Sequence, residues 1–231
     1  MMPLLSQKEV RDLYRRRADH YNVTANLYYL IGFREWAYRR NAVAALGLHR
    51  GDRVVEIGCG TGMNFPLLEQ AIGAAGKIIG VDLTDRMLEQ AELRVKKNGW
   101  SNVELVQSDA ASFSFPAPIQ GVISTFALTL VPEFDRVIRN GCVALAPGKR
   151  WVVLDFKLPS GMLRPLAPVG IFLSQPFGVQ RELAERHPWE SIERTMANFT
   201  MKEFYGGFAY VASGVRPEKG CDERKRPAAL P

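Results

Sequence analysis

The sequence predicts an α/β fold: a mostly parallel seven-stranded sheet with a C-terminal antiparallel hairpin and helices at the N-terminus. Three observations predict it. Short apolar runs alternate with amphipathic stretches from residue 52 to residue 157. A glycine-rich turn, Gly58-Cys59-Gly60-Thr61-Gly62, joins the first of these runs to a helical stretch. Two late apolar runs meet at Gly206-Gly207, a hairpin signal. Together they describe a Rossmann-like sheet with helices on both faces.

The elements follow in order. Val10, Leu13, Tyr14, Ala18 and Tyr21 recur at helical spacing, flanked by Arg11, Arg15 and Arg16. A second helical stretch covers residues 26–46 and ends near Gly47. Residues 53–57 are a short apolar run before the glycines, as expected of a strand buried on both faces. A helix is expected over 62–75 and a second strand over 77–81. Thr84 offers an N-cap to a helix whose Met87, Leu88, Ala91 and Val95 share one face, closing at Asn98-Gly99. Strands are expected at 103–106, 121–124 and 151–156, with a helix near 131–145. Beyond Leu158 the rhythm breaks into a proline- and glycine-rich apolar stretch, followed by a helix over 187–197. The hairpin strands are expected at 199–205 and 208–212. This divides the chain into a helical substrate-entry segment (1–47), a main domain (48–215) with an insert at 159–186 serving as a lid, and a charged, disordered tail (216–231).

Composition narrows the class. At 231 residues, 47% hydrophobic and 23% charged, the chain is ordinary for one globular domain. No run reaches the roughly 18 uninterrupted apolar residues of a spanning helix. The N-terminus places its basic cluster after a very short apolar stretch, the reverse of a secretory signal, which predicts a cytoplasmic protein. Cys59, Cys142 and Cys221 are odd in number, far apart and without a CxxC pair. They predict no disulfide framework, no zinc site and a reducing compartment. Residues 1–50 hold nine Lys or Arg against four acids, nearly the whole net charge of +6. Such a front end faces an anionic membrane, nucleic acid or an acidic substrate, or is simply a solvated helix face.

The glycine turn carries the chemistry. It follows a strand and opens a helix, where glycine permits a tight turn and a helix N-terminus offers unpaired N–H groups. Its spacing is GxGxG rather than the GxGxxG of a dinucleotide loop, which argues against a nicotinamide oxidoreductase. Glu56 stands two residues before the first glycine, where a carboxylate repels a pyrophosphate but suits an ammonium and a sulfonium. Asp82 ends the second strand, placed to accept hydrogen bonds from ribose hydroxyls. Asp109 follows the third strand, placed to accept from an adenine amino group. Three acids at successive strand ends describe an adenosyl-amino-acid site. Cys59 reads as a small loop residue, and Asp85 as a first-turn helix acid.

VVEIGCGTG, GVDLTDRML, VQSDA and LAPGKRWVVLDF, in that order over about residues 45–158, resemble the motifs of class I S-adenosylmethionine-dependent methyltransferases. The resemblance implies S-adenosyl-L-methionine as cofactor. It places Gly58, Gly60 and Gly62 along the amino-acid half, Asp82 on the ribose, Met87 near the adenine, and Asp109 on the adenine amino group with Ala110 beside it. Ser124, Thr125 and Phe126 would border the methionine portion. Lys149 departs from the pattern, standing where a second glycine is usual after Pro147-Gly148.

Two further resemblances bear on the acceptor. Residues 14–22 with Asn26, Gly32 and Trp36 look like the entry segment of ubiquinone/menaquinone C-methyltransferases. Residues 27–34 with the glycine loop are similar to betaine-lipid N-methyltransferases. Against the quinone pattern, an Arg-Asn pair is absent after the fourth strand and residues 208–214 lack a histidine. The stretch 124–130 is apolar and lacks the acidic-or-Asn–Pro–Pro–aromatic run of enzymes that methylate base amino groups, which suits a greasy acceptor, while the basic front end keeps a tRNA or protein methyltransferase as the competitor within the class. The expectation is a methyltransferase acting on a lipid-like or amphiphilic small molecule, with a headgroup amine slightly favoured over a quinone ring. Tyr14, His20 and Tyr21 are its candidate catalytic residues, as base or as aromatic cage. The same tyrosines also fit the packing face of an amphipathic helix, and His20 a helix cap. Peripheral contact with an anionic membrane through the basic first helix would add roughly 1 kcal/mol per cation near the surface. A non-catalytic module on the same fold would bind cofactor without turnover.

Overall fold

A computed structural model describes residue 15, residues 32–159, residues 186–218 and residues 220–221. The first predicted helix apart from Arg15, the start of the second, the apolar insert and most of the tail lie outside the described residues.

The described residues form seven strands: β1 (Arg53–Ile57), β2 (Lys77–Asp82), β3 (Val103–Gln107), β4 (Ile119–Thr125), β5 (Leu145–Phe156), β6 (Ala197–Phe204) and β7 (Ala209–Val215). Their order in the sheet is β3-β2-β1-β4-β5-β7-β6. The first five are parallel; β7 runs antiparallel to β5, and β6 antiparallel to β7. The expected mostly parallel sheet with a terminal hairpin is what the structure shows. Helices α1 (Glu35–Ala45), α2 (Phe65–Ile72), α3 (Asp85–Asn98), α4 (Phe134–Ala144) and α5 (Pro188–Thr195) flank it.

Strand periodicity divides the core between two faces. On one face Val54, Ile123, Val152 and Leu154 pack with Ala42 and Val43 of α1, with Leu46 just after it, and with Phe65, Leu68 and Ile72 of α2. On the other, Val55, Val122, Trp151 and Val153 pack with Val137 and Ile138 of α4 and Ile192 of α5. Both sides of β1 are buried, as a central parallel strand requires. Each fully buried large aliphatic side chain stabilises the fold by about 1.5–3 kcal/mol. The edge strand β6 instead alternates between partly buried and exposed positions.

Boundaries differ in ways with local causes. α2 starts at Phe65 rather than Gly62, because the glycine loop continues through turns to Asn64 and Pro66 occupies the first helical turn. β5 begins at Leu145, six residues before the expected Trp151. Lys149, in its early part, forms an ion pair with Asp52 at 3.4 Å. α5 ends at Thr195, and Ala197 already belongs to β6.

The cysteine expectation is corrected. Cys142 of α4 and Cys221 are disulfide-bonded, with Cα atoms 6.0 Å apart, across a sequence separation of 79. Wide spacing and an odd count predict against pairing only when the chain between the cysteines does not return, and here the β6–β7 hairpin carries it back to α4. Cys59 is free and buried.

Candidate active site

The chain reverses its direction of winding between β1 and β4, and that switch point opens a crevice at the carboxyl ends of the strands. An open cleft of about 930 Å³ lies there. One end is walled by Met87, Ser108, Asp109 and Ala110, the middle by Asp82 and the loop Gly58–Thr61, and the far end by Thr125, Phe126 and Arg39.

Asp82 is the hinge between the loop and the second strand. Its Oδ2 accepts from the Gly60 N–H at 2.8 Å and its Oδ1 from the Thr84 N–H at 2.9 Å. Desolvation pushes its carboxyl above the usual carboxylate value, opposed by these backbone donors. Arg94 of α3 holds the outer side of the loop, its Nε donating to the Thr61 carbonyl at 2.8 Å. Gly58 and Gly60 have φ of 67° and 54°. A Cβ at Gly58 would lie 2.2 Å from the Ala127 Cβ, whereas one at Gly60 would meet nothing within 4 Å. The loop is thus closed against β4 at one glycine and open at the other. Asp109 Oδ1 accepts from the Ala111 N–H at 3.1 Å. Met87 is buried.

The far end holds a buried polar network that joins four segments. Arg39 of α1, 3% exposed, donates through Nε to Glu35 Oε1 at 2.8 Å, and its Nη2 lies 2.7 Å from the same oxygen. Its Nη1 donates to Thr125 Oγ1 at 2.7 Å and to Asn64 Oδ1 at 3.2 Å. Asn64 Nδ2 donates to Glu56 Oε1 at 2.6 Å and to Thr125 Oγ1 at 2.9 Å. Burial pushes the Glu56 carboxyl up to about 8, against the opposing pull of Arg39 and Asn64. Burial thus favours the protonated form of Glu56. Phe126, with φ 55°, sits in the left-handed region. Its ring lies under the Arg39 guanidinium, 5.3 Å from the centroid, and 4.7 Å from the Phe156 ring. Backbone held in this conformation against its intrinsic preference is a feature of sites where a side chain must be aimed.

Of the residues expected to hold the cofactor, Gly58, Gly60, Asp82, Met87, Asp109, Ala110 and Thr125 line one cleft. Glu56 and Gly62 do not. Glu56 is fully buried and bonded to Asn64, and Gly62 stands where an added Cβ would lie 2.6 Å from Phe65. The expectation that Glu56 presents a negative charge to the ligand is corrected by its burial. Tyr14, His20 and Tyr21 lie outside the described residues. Arg39, one of the nine cations in residues 1–50, is buried in the cleft wall. Its signal was Glu35 four residues earlier on the same helix face. Arg15 of that front end forms an ion pair with Asp85 at 2.8 Å. Among the described residues no helix is long and apolar enough to cross a membrane, and no cluster of His, Cys, Asp or Glu forms a metal site.

A two-carboxylate nucleoside end and an open glycine cradle fit an adenosyl amino acid. Comparison with known families agrees: residues 1–166 match the model of the ubiE/COQ5 methyltransferase family. The chain belongs to that family. Over 155 residues it is 31% identical to the ubiquinone/menaquinone biosynthesis C-methyltransferase UbiE of Francisella tularensis subsp. tularensis, covering 66% of this chain and 61% of that relative. Over 156 residues it is 27% identical to a demethylmenaquinone methyltransferase of Anoxybacillus flavithermus, covering 67% and 65%. The chain thus spans less than two thirds of these relatives' length. Among solved structures it shares its fold with Haemonchus contortus phospholethanolamine N-methyltransferase 2, determined with phosphomonomethylethanolamine and S-adenosylhomocysteine. The TM-score is 0.66 at 16% identity, covering 94% of this chain and 62% of that one. The cofactor of this ubiE/COQ5 family member is S-adenosylmethionine.

Proposed function

We propose that the protein transfers a methyl group from S-adenosylmethionine to a lipid-like, amphiphilic small molecule, with the amine of a polar headgroup as the favoured acceptor. The observation that carries this reading is the wall of the cleft after β4, where Phe126, Ala127, Leu130, Val131 and Pro132 follow one another without an acid or an asparagine. Such a wall suits an apolar body and offers no hydrogen-bonding edge to a nucleobase. The bound cofactor supplies an electrophilic methyl on a sulfonium. The chain's own contribution is alignment and exclusion of water, through the loop at Gly58–Gly60 and the apolar rim. Tyr14, His20 and Tyr21 are proposed to take the acceptor's proton or to face its cationic product. The basic front segment is proposed to bring the protein to anionic membrane surfaces.

A second reading, C-methylation of a quinone precursor, is favoured by what the sequence relatives are named for. One experiment separates them. The protein is incubated with S-adenosylmethionine labelled at the methyl group and, separately, with extracted total lipid, RNA and a demethylated quinone precursor. Label on an amine-bearing lipid supports the first reading. Label on the quinone ring carbon supports the second, and label entering RNA alone overturns both.

A further inference from the structure

The apolar wall after β4 is backed by a cation that has no acid of its own. The 3-10 turn Leu128–Leu130 leads into this wall, and Arg186 Nη1 donates to the Thr129 carbonyl at 3.0 Å. The guanidinium thus touches the peptide that joins Thr129 to Leu130, a residue of the cleft wall. Arg186 is half-buried, and desolvation pulls its proton affinity below the ordinary range. Burying a charge without a partner is costly, so an uncompensated one calls for a reason. The acids of this corner are engaged elsewhere. Asp155 gives one oxygen to the Thr129 N–H and the other to the Phe156 N–H. Glu203 pairs with Lys157, and Glu190 with His187. Among the described residues no acid pairs with Arg186, and the Thr129 carbonyl takes one of the five N–H donors of its guanidinium.

We propose that Arg186 is a subsite for an anionic phosphoester group on the methyl acceptor, whose apolar body lies along Leu130, Val131 and Pro132. A guanidinium fork and a phosphoester match in shape, because two parallel N–H···O bonds satisfy two oxygens at once. The bond to Thr129 holds that fork beside the wall instead of leaving it on a free side chain. An apolar wall with an unpaired cation next to it supplies the two recognition elements of an amphiphile with a negative headgroup. A quinone ring carries no such charge. The inference rests on the reading of an amphiphilic acceptor and goes beyond it by giving that acceptor an anion; it is independent of which atom is methylated.

The test titrates the S-adenosylhomocysteine complex of the full chain by calorimetry with three probes that carry no amine. They are dihexanoylphosphatidylmethanol, dihexanoylglycerol, which has the same chains and no phosphate, and dimethyl phosphate, which has the charge and no chains. The wild-type chain is expected to prefer the phospholipid over dihexanoylglycerol by roughly 10- to 100-fold, the range for hydrogen bonds to a charged group. Arg186→Gln is expected to bring that ratio close to one while dihexanoylglycerol binds as before. Arg186→Lys, which keeps the charge and loses the fork, should retain part of the preference and serves if Arg186→Gln does not fold. Dimethyl phosphate binding as tightly as the phospholipid, and lost with Arg186, would support the subsite and assign it to water-soluble phosphoesters. No preference in the wild type, or one that survives Arg186→Gln, overturns the proposal. So does an equal weakening of both lipids, which would reduce Arg186 to a brace for the turn. A preference that depends on Arg186 stands even where no headgroup amine becomes labelled. Label on an amine lipid without this preference removes the phosphoester subsite and leaves the proposed function intact.

Discussion

The two ends of the cleft are built differently. At the nucleoside end the contacts lie within one strand-end loop or between adjacent strand ends: Asp82 takes the amide of Thr84, two residues on, and that of Gly60, in the loop after neighbouring β1, and Asp109 takes that of Ala111. At the far end, beyond the fourth strand, the bonds join more segments. Arg39 reaches Thr125, Asp155 reaches Thr129, and Arg186 donates to the Thr129 carbonyl from 57 residues away. A strand-end loop can carry a complete nucleoside contact within a few residues, because the sheet already fixes where the loop begins. The far end is assembled from separate segments, α1, the loop before α2 and the end of β4.

The largest expected effect tests whether Glu56, on the first strand yet bonded into the far-end network, is neutral. The folded chain keeps its proton up to about pH 8, while an ordinary carboxyl releases it near 4.5. Between those values the folded state binds more protons than the unfolded one. Stability therefore falls as pH rises through the window, by up to about 1.4 kcal/mol per pH unit. Glu56→Gln imitates the protonated acid, retains an acceptor for Asn64, and removes this contribution. Urea midpoints at pH 6 and pH 8 are expected to fall for the wild type and to converge for the variant. Identical pH slopes in the two proteins would mean that Arg39 keeps Glu56 ionised.

Next in size is Asp82→Ala. It removes the acceptor proposed for the ribose and releases the amides of Gly60 and Thr84. S-adenosylhomocysteine binding is expected to weaken by about 1–3 kcal/mol, with 5′-methylthioadenosine weakened equally because both carry the sugar. An Asp82 variant that discriminated between the two ligands would erase the distinction between the ends of the cleft.

What was legible in the sequence follows the same division. The order of strands and helices showed through hydrophobic periodicity, and Asp82 and Asp109 through their place at strand ends, because both signals are local. Arg39 did not stand out among the nine cations of the first 50 residues, and only the fold reveals that its helix face turns inward. Glu56 was legible as an acid and misjudged as a charge, since burial is set by β2 and β4 on either side of it. Cys142 and Cys221 were unreadable as a pair for the same reason: their approach depends on where the terminal hairpin delivers the chain. Phe126 drew notice through its place after β4, but its left-handed backbone has no sequence signature in a non-glycine residue.

The smallest expected effect on cofactor binding belongs to Asp155, at the carboxyl end of β5. Its Oδ2 accepts from the Thr129 N–H and its Oδ1 from the Phe156 N–H, both at 2.9 Å, and burial pushes its carboxyl up to about 6. It fastens the short 3-10 turn Leu128–Leu130 to the end of β5, which keeps Leu130 and the following Val131 and Pro132 on the cleft wall. Asp155→Asn keeps the shape and one acceptor but sets an amide against a backbone N–H. The fold is expected to lose about 1–2 kcal/mol, read from urea unfolding at pH 7. S-adenosylhomocysteine affinity should stay within about twofold, as for sites without shared partners. The KM for the acceptor should rise, because only the acceptor meets the loosened wall. A parallel loss of cofactor affinity would couple the turn to the glycine loop through Ala127, whose Cβ already crowds Gly58. The two ends would then be one mechanical unit rather than two.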